Sequence, residues 1–198
     1  MALTIGIYIT DFSKGGAQKQ SILLAYYLSE HYHCEYIVAS TNGDYFSLAS
    51  EKKIKITVIG KGFFKHCFSL YKLFKKNKID ILITYLPIGN ILGGIIGKLA
   101  GVKIIYGGIR ISKTDYPLWK IVIQKWLCNY LSTGFISNSH CAKAKYSKLG
   151  FKESKISVIH NCIDTNKINS ESKTTFPITI LPLAGLYLTK TILLQSIL

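Results

Sequence analysis

Asp11-Phe12-Ser13-Lys14-Gly15-Gly16 stands between an apolar run and a helical pattern that begins near Ala17. The two glycines let the backbone come close to a ligand. The helix that follows offers free N–H groups and a partial positive charge to an anion. Gly15 and Gly16 are therefore candidate contacts for a phosphate or a sugar hydroxyl, although glycines in such turns also serve steric needs alone. A second polar turn, Ser137-Asn138-Ser139, closes the apolar residues 133–136 and opens another helical pattern. Its side chains can accept hydrogen bonds from the first turn of that helix. Open parallel sheets bind ligands outside the carboxyl ends of their strands, so Ser139 has a substrate-contact reading beside its reading as a simple helix cap.

The patterns of the commoner nucleotide cofactors are incomplete. Gly6 lies inside the first apolar run and no Gly-x-Gly-x-x-Gly follows it, which removes the dinucleotide fingerprint. Residues 93–98 fall one short of a triphosphate loop, and Leu99 stands where Ser or Thr would meet magnesium. None of the five histidines has metal-ligand spacing, and the five cysteines, Cys34, Cys67, Cys128, Cys141 and Cys162, form no Cys-x-x-Cys pair. No metal site is expected, and scattered cysteines of this kind favour a reducing cytoplasm.

These turns need a rigid frame, and the hydropathy pattern predicts one. Apolar runs over residues 4–10, 34–40, 55–59, 79–86, 103–107, 133–137 and 156–159 read as strands. Helical patterns over 17–31, 63–76, 90–100, 116–131 and 140–149 fall between them. This alternation predicts an α/β fold, a Rossmann-like parallel sheet with helices on both faces. A chain of 198 residues can hold one domain with a substantial core, here over 1–164, and the polar residues 165–176 read as a linker.

The N-terminus has no basic segment before its apolar run and no small-residue cleavage pattern, so it reads as a first strand rather than a signal peptide. Residues 81–97 carry no charge but contain Pro87, Asn90 and several glycines, which suits a buried strand and a packed helix better than a bilayer span. Residues 176–198 are apolar apart from Lys190 and a few polar positions, and both a membrane anchor and a partial domain fit them.

A formal net charge of +15 predicts an acidic neighbour. Without zinc-finger spacing, an RNA-binding aromatic motif or a uniformly basic helix, nucleic acid is the weakest candidate. Phosphorylated substrates and an anionic membrane surface remain. Residues 61–76 set Phe63, Phe64, Phe68 and Tyr71 among Lys61, Lys65, Lys72, Lys75 and Lys76 at helical spacing. Such a helix fits an ordinary amphipathic helix with its rings in the core and its lysines in water, and also a membrane interface, with rings in the lipid and lysines at the head groups. Trp119 and Trp126, seven apart in the next such segment, pose the same choice.

Several motifs, in order, resemble one family. Gly15-Gly16-Ala17-Gln18-Lys19-Gln20 is similar to the Gly-Gly-Ala-Glu-Arg-Gln sequence at the first loop of family 4 glycosyltransferases. Tyr85-Leu86-Pro87-Ile88-Gly89-Asn90 with Lys98-Leu99-Ala100-Gly101-Val102 resembles the fourth unit of the same domain. Gly107-Gly108-Ile109-Arg110 occupies the strand end where relatives carry a His or Arg beside the sugar. Ser137-Asn138-Ser139, Gly150, Lys155-Ile156 and Asn161-Cys162-Ile163-Asp164 resemble the end of the domain, with Cys162 where the family has Gly. Leu183-Ala184-Gly185-Leu186-Tyr187-Leu188-Thr189-Lys190 resembles the Gly-Arg-Leu-x-x-x-Lys opening of the donor domain, with Ala184 and Gly185 replacing its Gly and Arg.

The resemblance implies the N-terminal, acceptor-side half of a GT-B fold, with residues 177–198 as the first β-α unit of an incomplete donor domain. It implies a retaining, metal-independent transferase of polysaccharide or glycolipid synthesis, cytoplasmic or peripheral at the inner face of the cell membrane. The partners it implies are a nucleotide-sugar donor, which is a substrate and not a cofactor, and a glycan or lipid-linked acceptor. Gly15, Gly16, Asn90, Arg110, Ser139 and Lys190 are the substrate-binding candidates, and no residue is assigned as nucleophile or general base. The alternative is an inactive acceptor- or membrane-binding module that needs a partner chain to supply the donor domain.

Overall fold

The computed structural model describes residues 3–60, 62–110 and 117–162. The linker, Lys190 and the unit expected over 177–198 lie outside the described residues. The elements are β1 (Thr4–Ile9), α1 (Gly16–Ser29), β2 (His33–Val38), α2 (Phe46–Glu51), β3 (Ile56–Val58), α3 (Phe63–Lys76), β4 (Ile81–Thr84), α4 (Pro87–Leu99), β5 (Ile104–Ile109), α5 (Leu118–Trp126), β6 (Gly134–Ser137), α6 (His140–Lys148) and β7 (Ile156–Val158). A π-helical turn, Leu127–Leu131, continues α5. The short α2 escapes hydropathy analysis because it buries Ala49 alone and so has no apolar stripe.

The strands form one seven-stranded sheet in the order β3-β2-β1-β4-β5-β6-β7, and every neighbouring pair is parallel. Alternate residues of a strand face opposite sides. Ile5, Ile7 and Ile9 of β1 enter a core with Ala17, Ile22 and Ala25 of α1 and Ala49 of α2. Tyr8 points the other way, into a core with Leu70 and Phe74 of α3 and Ile96 of α4. A third core gathers Phe135 and Ile156 of the sheet with Ile121 of α5 and Ala142 and Tyr146 of α6. Each fully buried large side chain of this kind contributes roughly 1.5–3 kcal/mol.

Residues 81–97 resolve into β4 and most of α4, and their glycines have a steric cause. A Cβ on Gly93 would sit 2.4 Å from Thr84 Cγ2, and one on Gly97 would sit 2.8 Å from Leu82 Cδ2. The glycine face lets α4 lie directly against the sheet, which accounts for the incomplete triphosphate-loop pattern. Among the described residues, no helix is long and apolar enough to cross a membrane.

The strand order reverses between β1 and β4, so the loops leaving these neighbours diverge and open a crevice at their carboxyl ends. At the far side of the sheet α6 is closed by Gly150, with φ +89°, whose N–H reaches the Ser147 carbonyl at 2.9 Å. The Phe151 N–H reaches the Tyr146 carbonyl at 3.2 Å and the two rings meet at 5.0 Å, a glycine-closed helix end with its usual apolar contact. That stop sends the chain into β7 and so delivers residues 159–162 to the crevice edge.

Candidate functional site

The β1–α1 loop is held by its own side chains. Asp11 accepts hydrogen bonds from the Ser13 N–H at 2.9 Å, from Thr10 Oγ1 at 3.0 Å, from Gln18 Nε2 at 3.4 Å and from the Ser13 hydroxyl. Burial raises the pKa of this carboxyl, but the bonds from Ser13, Thr10 and Gln18 outweigh it and hold Asp11 below the usual carboxylate range. Gly15 is extended and precedes α1 without any side-chain cap. A Cβ there would meet Gln18 Oε1 at 2.5 Å, whereas one on Gly16 would meet nothing within 4 Å. Gly15 thus makes room for the Gln18 clasp, and Gly16 leaves the helix start open to approach.

Across the crevice, β4 is followed by Tyr85 and then Leu86, whose φ of +67° is rare for a residue with a side chain. Pro87 starts α4 immediately afterwards. Arg110, just beyond β5, lies over the Tyr85 ring at 4.7 Å. Its Nη2 donates to the Tyr85 hydroxyl at 3.2 Å and its Nη1 to Asn161 Oδ1 at 3.2 Å. Its Nε is buried and has no hydrogen-bond partner among the described residues. Burial raises the pKa of Tyr85, and the neighbouring guanidinium only partly offsets that, so the phenol stays protonated.

Gln20 on α1 closes the same corner. Its Nε2 donates to the Cys162 carbonyl at 2.8 Å, and its Oε1 accepts from the Cys162 N–H at 3.0 Å. A small cavity of about 40 Å³ lies between Gln20, Tyr85, Arg110, His160 and Cys162. The His160 ring reaches the Asn138 carbonyl at 3.2 Å through Nδ1 and lies 5.8 Å from the His140 ring.

Of the residues expected to contact substrate, Arg110 and the Gly15-Gly16 turn reach strand ends as anticipated. Asn90 departs from its expected place. It is buried, and its amide spans Thr84 Oγ1 at 2.9 Å, the Gly108 N–H at 3.1 Å, the Gly108 carbonyl at 3.0 Å and Gln124 Oε1 at 3.0 Å. The β4–β5 pairing ends at Thr84 and Gly107, so Asn90 satisfies the next peptide of β5 and steadies the strand two residues before Arg110. Ser139 caps α6, its Oγ accepting from the Ala142 N–H at 3.1 Å. Lys190 lies outside the described residues.

Sequence reasoning did not assign Tyr85, Gln20, Asn161 or Gln124. Gln20, Tyr85 and Asn161 all lie inside matched motifs and were open to assignment, although a Tyr at the end of an apolar run reads first as core packing. No set of three or more His, Cys, Asp or Glu side chains able to hold a metal occurs among the described residues.

Solved structures with the same fold include HepE of Anabaena bound to UDP-glucose, with a TM-score of 0.73 and 15% identity over 83% of this chain and 45% of that one. The lipopolysaccharide outer core galactosyltransferase WaaB matches with a TM-score of 0.59 and 17% identity over 81% of this chain and 46% of its own. MurG of Acinetobacter baumannii gives 0.59 and 15% over 82% and 46%. A UDP-N-acetylglucosamine 2-epimerase from Rickettsia bellii also matches, with a TM-score of 0.55 and 10% identity over 81% and 45%, so the fold alone does not separate transfer from epimerisation. The chain spans less than half the length of each of these structures. A comparison with curated protein sequences finds no match. The sequence model of Glycosyltransferase Family 4 matches residues 14–167, and the chain belongs to that family.

Proposed function

We propose that this chain is the acceptor-side half of a nucleotide-sugar-dependent glycosyltransferase of polysaccharide or glycolipid synthesis. The observation that carries the reading is Arg110, fixed at a strand end by Tyr85 and Asn161 beside the switch-point crevice. Transfer leaves negative charge on a departing nucleotide diphosphate, and donors fixed in advance stabilise such charge at no cost of reorganisation. Arg110 and the uncapped start of α1 are donors of that kind on this chain. Donors of this kind take the place of a metal at the diphosphate, and the reading includes transfer with retention as a separate expectation. Lys190 of the donor side contacts the diphosphate, Gly16 admits the sugar or phosphate closely, and Ser139 lines the crevice as well as capping α6. The UDP-glucose bound to HepE supports a UDP-sugar as the donor class.

The acceptor is a glycan or a lipid-linked glycan, and the enzyme works in the cytoplasm, peripherally at the inner face of the cell membrane. The experiment is transfer from a radiolabelled nucleotide-sugar panel by the chain extended with a donor domain; absence of transfer with every donor overturns the proposal. A second reading is an inactive acceptor-binding module completed by a partner chain. It expects transfer only when a separate donor domain is added in trans.

A further inference from the structure

β3 is the last strand on its side of the sheet, and its outer edge has no partner strand among the described residues. Its ladder to β2 uses alternate residues. The Lys55 carbonyl accepts from the Tyr36 N–H at 3.3 Å, and the Ile59 N–H donates to the Val38 carbonyl at 2.9 Å. With Thr57 opposite Ile37 between them, residues 55, 57 and 59 turn their backbone groups inward. The N–H and C=O groups of Ile56 and Val58 therefore point to the open edge, and Val58 keeps 50% of its surface exposed. Such an edge is a template for another extended chain.

A groove of about 670 Å³ runs beside this edge, with Thr57, Val58 and Ile59 as one wall. The other wall is a single flank of α3, where Ser69, Lys72, Leu73 and Lys76 follow the i, i+3, i+4, i+7 spacing of one helix face. α3 contains no Asp or Glu, and Lys72 and Lys76 have no carboxylate partner among the described residues. Glu35 accepts from Thr57 Oγ1 at 3.2 Å, but it is buried and paired with Lys55, so it does not neutralise the flank.

The spacing of this charge matches an extended chain. Lys72 and Lys76 are about 6 Å apart along the helix axis. Alternate side chains on one face of a strand are about 6.6–6.8 Å apart. Carboxylates at every second residue can thus meet the two lysines, while the residues between them turn to the opposite face of the sheet, beside the Val58 side chain. A bilayer is flat and cannot complete a strand edge, and a second copy of this chain would set lysine against lysine.

We propose that the β3–α3 groove binds an extended acidic segment of a partner protein, which adds to β3 as a strand and places alternate carboxylates on Lys72 and Lys76. β2 and β1 separate the groove from the switch-point crevice, so this site is independent of the transferase reading and is measured without transfer.

The probe is a fluorescein-labelled, end-capped peptide of alternating Glu and Val, titrated with the 198-residue chain and followed by anisotropy. Salt-sensitive binding is expected, with none for the matching Lys-Val peptide. N-methylation of every peptide bond of the Glu-Val probe should weaken binding about tenfold or more, because the edge then meets no N–H. Lys72→Gln/Lys76→Gln should weaken it about tenfold or more as well. Val58→Pro removes an outward N–H that the ladder to β2 does not use, and it should act likewise with circular dichroism unchanged. The N-methylated probe tests strand addition with the protein unaltered. Absence of Glu-Val binding, equal binding of the N-methylated probe, or full binding by the lysine variant would overturn the proposal. RNA binding or self-association lost on the lysine substitutions, without peptide binding, would overturn it in favour of a nucleic acid or a second copy.

Discussion

Gln20 grips the backbone of Cys162 from across the chain, its amide acting as donor and acceptor to one peptide position at 2.8 and 3.0 Å. The bond ties α1, whose open start faces the crevice, to the turn that carries Asn161 onto Arg110. Gln20→Ala removes both bonds and should destabilise the domain by about 1–2 kcal/mol, as read by urea unfolding. Gln20→Glu keeps the acceptor and loses the donor, so it should fall between wild type and Ala.

Arg110 has a different balance. Its two hydrogen bonds are to a phenol and an exposed amide, so Arg110→Lys should cost about 1 kcal/mol of stability or less. Lysine has no planar fork to lie over Tyr85 while reaching Asn161. In the chain extended by a donor domain, kcat/KM should therefore drop by roughly 10²-fold or more, with the melting temperature nearly unchanged. A transfer rate like that of wild type would remove Arg110 from the site.

Asn90→Ala should act in the reverse sense, through folding. The substitution strips partners from the Gly108 N–H, the Gly108 carbonyl, Thr84 and Gln124 in a buried place. Unmet groups of this kind cost about 1–3 kcal/mol each, and with partial relaxation a loss of roughly 2–4 kcal/mol is expected in denaturant unfolding. Asn90→Asp should also destabilise, since it loses the donor to the Gly108 carbonyl and buries a charge.

Glu35 sets an acid limit on stability. Its carboxylate is buried on β2; burial alone raises its pKa, but Lys55, Thr57 and His33 outweigh burial and hold it below the usual range. A carboxyl lowered in the folded state contributes stability that is complete above its unfolded pKa of about 4.3 and is lost as pH falls through the folded value. Melting temperature should thus fall more steeply below about pH 4.3 in wild type than in Glu35→Gln. Parallel acid profiles for the two proteins would refute this role.

Local pattern was enough to determine the alternation of strands and helices and the parallel sheet, because side-chain periodicities of strand and helix are written into consecutive residues. The motifs around Gly15 and Asn161 also marked strand ends correctly. Packing decided the rest. Both faces of α3 are rich in large apolar residues, so its pattern is compatible with either rotation; contact of Leu70 and Phe74 with the sheet turned Phe64 and Phe68 to solvent. Asn90 stood in a plausible contact motif, yet the end of the β4–β5 ladder drew it inward to satisfy Gly108. Arg110, Tyr85 and Asn161 are 25 and 51 positions apart from one another along the chain as bonded pairs. No local period records such a meeting; it exists only because parallel strands bring their carboxyl ends to one edge of the sheet.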